Sequence, residues 1–463
     1  MKAYTLAAFM CLCMVSLEAA PNIVFILVDD MAWTGTSTPM APSILNSKSD
    51  FYLTPHIDGL ASSGIRFSQA YAPAALCTPS RAAILTGKTP AELHMTTPGG
   101  GRRAQSFQQL KAPQHIKELP ESALTIAELL QQQGYATAHF GKWHLGQKSP
   151  SLHGFDVHDG STHNMVPASQ QGPKDVFGLT QRAIAFMTEQ AATKRAFYLQ
   201  LSHYAVHSPV EALDSSKAKF SQIKTGSRHN EIEYAAMTYD LDTSIGQLLQ
   251  EIDALGLSNN TYVVFMSDNG ASSKPRESLN TPLRAGKGTL YEGGIRVPLI
   301  IRGPGVPENR VCHEPVTGCD LLATFCDWAG IFTTTETDGS SLAALASADT
   351  SSFNRAQNVF LFHYPHYGKG PRQKPQTAII IDQFKLLKDL ESDSYQLFDL
   401  SNDISESKDL LLQMPEKTAS MKRLMQQRLL EVDAQQASIN PNYNPKAEQT
   451  RESNQAGFLR FKK

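Results

Sequence analysis

One uninterrupted apolar stretch constrains this chain more than any other feature. Residues 22–28 read Asn-Ile-Val-Phe-Ile-Leu-Val and run directly into Asp29 and Asp30. A short apolar run without polar alternation marks a strand buried on both faces, as in parallel sheets. Comparable runs lie at 135–140, 197–202, 262–266 and 298–301. Between them, 122–133 and 231–255 read as helices. In the second, Leu241, Ile245, Leu248, Ile252 and Leu255 recur at helical spacing and Gly256 supplies a stop. Alternating strands and helices predict an α/β fold: a large, mostly parallel sheet flanked by helices on both faces.

The ends differ from this body. Lys2, an apolar run over 3–17 and a small-residue exit before Pro21 read as a secretory signal peptide over residues 1–20. The run is short for a bilayer span, so no stable membrane insertion is expected, and the mature protein is expected outside the cytoplasm, secreted or periplasmic. From about residue 355 the pattern changes to short strand-like pieces at 359–362, 378–381, 384–388 and 395–399. A polar helix over 415–432 and a loosely ordered tail after Gln436 follow. The expected organisation is therefore 1–20 signal peptide, 21–355 main domain, and 356–463 a smaller subdomain of antiparallel sheet plus helix.

Charge and cysteine content narrow the function classes. The chain has 42 Lys+Arg against 44 Asp+Glu, which argues against a polybasic nucleic-acid partner. Of six cysteines, Cys11 and Cys13 fall in the signal segment. Cys312, Cys319 and Cys326 lie close enough in sequence to supply one disulfide, of unspecified pairing. Cys77 stands apart and needs its own explanation.

Several segments carry chemistry. Two strand-like runs end in oxygen side chains, Asp29-Asp30 and Asp268-Asn269. Ligands in open parallel sheets bind beyond the carboxyl ends of the strands, and four such oxygens there suit a hard cation. Either pair alone reads as turn chemistry; together they point to metal. In Cys77-Thr-Pro-Ser-Arg-Ala-Ala-Ile-Leu-Thr-Gly87, Ser80 reads as a helix N-cap, leaving Cys77 at the positive helix end with Arg81 in the first turn. Lys142 and His144 follow a strand and alternate onto one side, with Trp143 opposite. His203 and His207 follow another strand, as proton-transfer candidates. Lys287 sits in a Gly-rich loop before the last core strand.

These residues resemble the type I sulfatases, whose signature is C-x-P-S-R followed by a helix ending in L-T-G. Here it is Cys77-Thr78-Pro79-Ser80-Arg81 with Leu85-Thr86-Gly87, and the resemblance runs from Asp29-Asp30 to Leu397-Phe398-Asp399-Leu400. It implies an alkaline phosphatase-like fold that hydrolyses sulfate esters. It also implies oxidation of Cys77 to Cα-formylglycine by a formylglycine-generating maturation enzyme, the aldehyde hydrate acting as nucleophile. One Ca²⁺ would be bound by Asp29, Asp30, Asp268, Asn269 and residue 77. By the same resemblance Arg81 orients the hydrate, Lys142 and Lys287 hold the sulfate, and His144 assists breakdown of the sulfo-enzyme. His207, chosen over His203, protonates the leaving alcohol. The expected substrate is a sulfated carbohydrate, and the segments 96–103 and 363–372, with Arg102 and His366, are expected to rim the pocket. The alternatives are an arylsulfatase of broad specificity, a phosphatase or phosphodiesterase on the same fold, and a sulfated-glycan-binding protein without turnover.

Overall fold

The structure is a computed structural model describing residues 20–449, apart from 168–171, 273–276, 333–335, 348–349, 356–357, 369 and 371–372. Of the expected signal peptide at 1–20, residues 1–19 lie outside the described residues, as does the tail from 450 on.

The run at 22–28 forms β1 (Asn22–Val28), and its side chains divide between two cores. Val24, Ile26 and Val28 enter one, while Ile23, Phe25 and Leu27 enter the other. Every residue of β1 is buried, which explains its lack of polar alternation. The other main-sheet strands are β2 (Ile65–Phe67), β3 (Ala136–Gly141), β4 (Val157–His158), β5 (Phe197–Ser202), β6 (Thr261–Ser267), β7 (Leu299–Arg302) and β8 (Arg310–Cys312). Their order is β8-β2-β7-β6-β1-β5-β3-β4. All neighbours are parallel except those of β7, which runs antiparallel to β6 and β2.

Helices cover both faces. One core takes Ile57 of α1 (Pro55–Ser62), Ala183 of α4 (Val176–Thr193), Phe220 of α5 (Asp214–Ser221) and Leu241 of α6 (Ile232–Ala254). The opposite core takes Ile84 of α2 (Cys77–Thr86), Leu130 of α3 (Ile126–Gln132) and Phe325 of α7 (Asp320–Trp328). The expected α/β class is the observed one.

Beyond the main sheet, β9 (Phe360–Tyr364), β10 (Gln376–Ile381), β11 (Phe384–Asp389) and β12 (Ser394–Asp399) form a four-stranded antiparallel sheet. One face packs Phe362, Ala378 and Ile380 against Tyr71, Leu290 and Ile295. The other receives Met421 and Met425 of α8 (Pro415–Glu431).

Two expectations need correction. Cys312, Cys319 and Cys326 are all free thiols. Cys319 caps α7 and Cys326 lies seven residues on, about 10 Å along the axis at 1.5 Å per residue, beyond disulfide reach. Cys312 is held in β8 by pairing with β2. Second, Ser80 is not the N-cap of α2. Leu76 holds that place, Cys77 is the first helical residue, and the Ser80 hydroxyl instead donates to the Ala74 carbonyl at 2.9 Å.

Candidate active site

The parallel strands around β1 aim their carboxyl ends at one place. β1 delivers Asp29 and Asp30, β6 delivers Asp268 and Asn269, and β3 leads through Gly141 to Lys142. Gly141 has φ 95°, and a Cβ there would lie 2.0 Å from the Ser202 carbonyl oxygen. Only glycine allows that approach, and it turns the chain so that the Lys142 amide donates to Ser202 at 2.8 Å. His144 then adopts a left-handed backbone, φ 58°. Lys142 and His144 therefore share a side through a turn, not through strand alternation. Trp143 faces away, edge-on to His139 and Phe155.

Cys77 enters from the N-terminus of α2. Its Sγ lies 3.1 Å from Lys287 Nζ, which also donates to Asp30 Oδ1 at 2.5 Å. Candidate ligand atoms of Asp29, Cys77 and Asp268 lie within 4.8 Å of one another, as do those of Asp30, Cys77 and His207. Lys142 Nζ donates to Asp29 Oδ2 at 2.5 Å. Arg81 donates from Nε to Asp268 Oδ2 at 2.9 Å and from Nη1 to the Lys142 carbonyl at 2.6 Å. Asn269 donates from Nδ2 to Asp30 Oδ1 at 2.6 Å. Three buried carboxylates thus meet two buried cations, Lys142 and Arg81, and the half-buried Lys287, as desolvated charges require.

Several atoms nevertheless have no partner. Among the described residues, Asp29 Oδ1, Asn269 Oδ1, Arg81 Nη2 and His144 Nδ1 are buried without a hydrogen bond. Because the Asn269 amide nitrogen is engaged by Asp30 and the Gly270 carbonyl, its oxygen is the free end. Unpartnered oxygens beside the remaining Asp30 and Asp268 carboxylates are a hard-cation donor set, so these residues fit a bound Ca²⁺.

The electrostatics are strongly shifted. Burial would raise the Asp29 carboxyl, but Lys142, His207, Lys287 and Arg81 outweigh it and hold it well below the usual range. Burial and the Asp29 charge push Asp268 up to about 6. Burial would lower the Lys287 ammonium, yet Asp30, Cys77, Asp29 and Asp268 hold it well above its ordinary value. His144 is driven well down by burial and by the Lys142 and Arg81 charges, leaving a neutral imidazole. Burial pushes the Cys77 thiol up to about 11 although Lys142 and Lys287 pull the other way.

The two histidines of the 203–208 segment separate clearly. His203 is fully buried, and among the described residues neither ring nitrogen has a partner. His207 sets Nε2 3.8 Å from Asp30 Oδ2 and engages the Ser208 carbonyl with Nδ1 at 2.6 Å. A carbonyl only accepts, so Nδ1 carries the proton and Nε2 faces the site.

The segments expected to rim the pocket do meet, but His366 is buried, not exposed to ligand. Its Nε2 pairs with Thr96 Oγ1 at 2.7 Å and its ring packs edge-on to His115. Arg102 remains exposed; 369, 371 and 372 lie outside the described residues. The next segment holds the Lys287 loop, with Gln373 donating from Nε2 to the Lys287 carbonyl at 2.7 Å. Lys174 escaped the sequence reading: it is buried near the site, yet no apolar periodicity or motif marks it.

Residues 21–331 match the family model described as Sulfatase, and 286–435 match that of N-sulphoglucosamine sulphohydrolase, C-terminal. A protein of Formosa agariphila described as Sulfatase is 29% identical, over 85% of each chain. The N-acetylgalactosamine-6-sulfatase of Sus scrofa is 33% identical over 67% of this chain, which spans 62% of that relative's length. The crystal structure of Ps i-CgsB in complex with k-i-k-neocarrahexaose superposes with a TM-score of 0.74 at 30% identity, covering 90% of this chain and 94% of that one. On these matches, the chain belongs to the type I sulfatase family, sulfuric ester hydrolases of the alkaline phosphatase-like superfamily.

Proposed function

We propose that this chain is a secreted or periplasmic sulfatase that hydrolyses sulfate esters of carbohydrates, using formylglycine made from Cys77 and one Ca²⁺. The observation that carries the proposal is the position of Cys77. It is the first residue of α2, 3.1 Å from Lys287, and grouped with Asp29 and Asp268 on one side and Asp30 and His207 on the other. With its thiol pushed up to about 11, Cys77 is protonated at neutral pH and therefore a weak nucleophile. Formylglycine, in its hydrated form, supplies a hydroxyl nucleophile in place of the thiol and a second hydroxyl through which sulfate is released. Ca²⁺, held by Asp29, Asp30, Asp268, Asn269 and residue 77, supplies positive charge for the sulfate oxygens.

The remaining groups bind, orient and move protons. Lys142 and Lys287 offer their ammonium hydrogens to the sulfate oxygens and offset charge that builds during S–O cleavage. Arg81, fixed by Asp268 and the Lys142 carbonyl, keeps Nη2 free to orient residue 77. His144, neutral and with Nδ1 unengaged, is the base that would accept a proton from residue 77. His207 acts in its imidazolium form, with Nδ1–H on the Ser208 carbonyl and a second proton on Nε2; it delivers the Nε2 proton to the leaving alcohol and returns to the neutral ring, an assistance that alkyl sugar leaving groups require. The carbohydrate assignment is supported by a relative described as N-acetylgalactosamine-6-sulfatase and by a similar structure solved in complex with k-i-k-neocarrahexaose. The extracytoplasmic assignment is supported by the N-terminal sequence pattern. Among the described residues no helix is long and apolar enough to cross a membrane.

The test is peptide mass spectrometry of the segment containing residue 77 after co-expression with a formylglycine-generating enzyme, paired with sulfate-release assays. Unmodified cysteine throughout, with no sulfate released from aryl or sugar sulfates, refutes the proposal.

A further inference from the structure

The cations described above are each matched by a carboxylate: Lys142 by Asp29, Lys287 by Asp30 and Arg81 by Asp268. Lys174 is different. It is 3% exposed, yet among the described residues its ammonium has no carboxylate at ion-pair distance. Its nearest tie to an acid is through the backbone, where its amide donates to Glu211 Oε2 at 3.4 Å.

The chain holds Lys174 at a conformational cost. Lys174 and Asp175 have φ 53° and 49°, two consecutive non-glycine residues in the left-handed region just before α4. Such residues are conformationally costly and persist only where their surroundings enforce them. The enforcement is visible. Arg182 donates to Asp175 at 2.7 Å and to Asp159 at 3.0 Å, and Asp159 accepts from the Gly141 amide at 2.8 Å. This chain of bonds ties the 174–175 turn to the strand end that carries Lys142. After Glu211, the charged groups that act on Lys174 are Asp29, Lys142 and Asp30, so it lies within electrostatic reach of the same site.

A buried, strained and unpaired cation beside a site that handles anions calls for an anion from outside the protein. We infer that Lys174 is a specificity-determining residue whose ammonium binds a second anionic group of the substrate, a further sulfate or a uronate carboxylate, next to the ester that is cleaved. This rests on the sulfatase reading above. It adds that preferred substrates carry at least two negative charges close together.

Binding separates this inference from catalysis. Full-length Cys77→Ala protein, with Ca²⁺ present, is titrated calorimetrically with galactose 6-sulfate, galactose 2,6-disulfate and a 6-sulfated disaccharide bearing glucuronate. The parent should favour one or both doubly anionic ligands. Lys174→Gln should weaken those by about 10-fold or more while changing galactose 6-sulfate less than about 2-fold. Lys174→Arg should keep the preference. The ligand that loses affinity identifies the second anion. If Gln does not fold, Lys174→Met, which fits the buried stem, replaces it. Absence of any preference in the parent, or equal or no weakening for all three ligands, overturns the inference. Failure of the sulfatase reading appears separately, as absent sulfate release by the matured wild-type enzyme.

Discussion

Lys287 Nζ bridges Cys77 Sγ at 3.1 Å and Asp30 Oδ1 at 2.5 Å. One ammonium thus links the residue proposed as nucleophile to a residue proposed as metal ligand. Its loop is held from the C-terminal sheet side by Gln373 and Gln376, whose side chains bond the Lys287 carbonyl and the Leu290 amide. Lys287→Ala should lower kcat/KM on aryl sulfates by about 10²–10³-fold, the usual cost of removing one transition-state donor. A loss under about threefold, in protein confirmed to carry formylglycine, removes Lys287 from the sulfate site.

His207 and His203 make opposite predictions. His207→Gln should reduce kcat/KM on sugar sulfates by about 10²–10⁴-fold, because an alkoxide leaves poorly without a proton. Aryl sulfates, with a good leaving group, should suffer much less. Steady-state kinetics on both substrate types decides; an equal loss on both argues against proton donation.

Arg81 should matter for stability as well as turnover. It is 2% exposed and pairs with fully buried Asp268. Arg81→Met leaves that carboxylate without its partner and should destabilise by about 3–5 kcal/mol, read by urea denaturation of the calcium-free protein. A change below about 1 kcal/mol shows that Lys142 alone suffices for Asp268.

Calcium should bind the folded chain only, since its proposed ligands lie more than 200 residues apart in sequence, on strands β1 and β6. At 100-fold excess over its Kd it should add about 3 kcal/mol of stability. Chelation should therefore lower Tm, and Ca²⁺ should restore it. A Tm insensitive to chelator after exhaustive dialysis contradicts a structural ion at this site.

Glu406 sets a pH dependence of stability. It is fully buried with Lys385 Nζ at 2.8 Å, and Lys385 also reaches Glu292 at 3.1 Å. Burial and the Glu292 charge push Glu406 from 4.5 up to about 7 against the pull of Lys385. The folded state therefore holds the proton more tightly than the unfolded one. This contribution is complete below about pH 4.5 and is lost as pH rises through about 7, on the order of 3 kcal/mol. Glu406→Gln cannot ionise, so its stability relative to wild type should rise across that window. A constant difference between the two proteins from pH 4.5 to 7.5 disproves the shift.

Local pattern determined much of this protein. The apolar run of β1, the helical spacing of α6, the four strand-like pieces after residue 355 and the Cys77–Gly87 motif are each short-range features, and each forms an element close to where the sequence places it. Residues at strand ends were equally legible, because a parallel sheet collects its carboxyl ends regardless of which helices cover it. Other features depended on contacts between distant segments. His207 faces the site and His203 the interior because the turn between them packs onto Asp29, whose amide and carbonyl bond Ala205 and Val206. His366 is buried because Thr96 and His115, far away in sequence, close over it. Lys174 is held beside the strand end that carries Lys142 because Arg182, Asp175 and Asp159 tie together a backbone conformation that no local propensity favours. Sequence decides what each segment prefers; only tertiary packing decides which of those preferences is overruled.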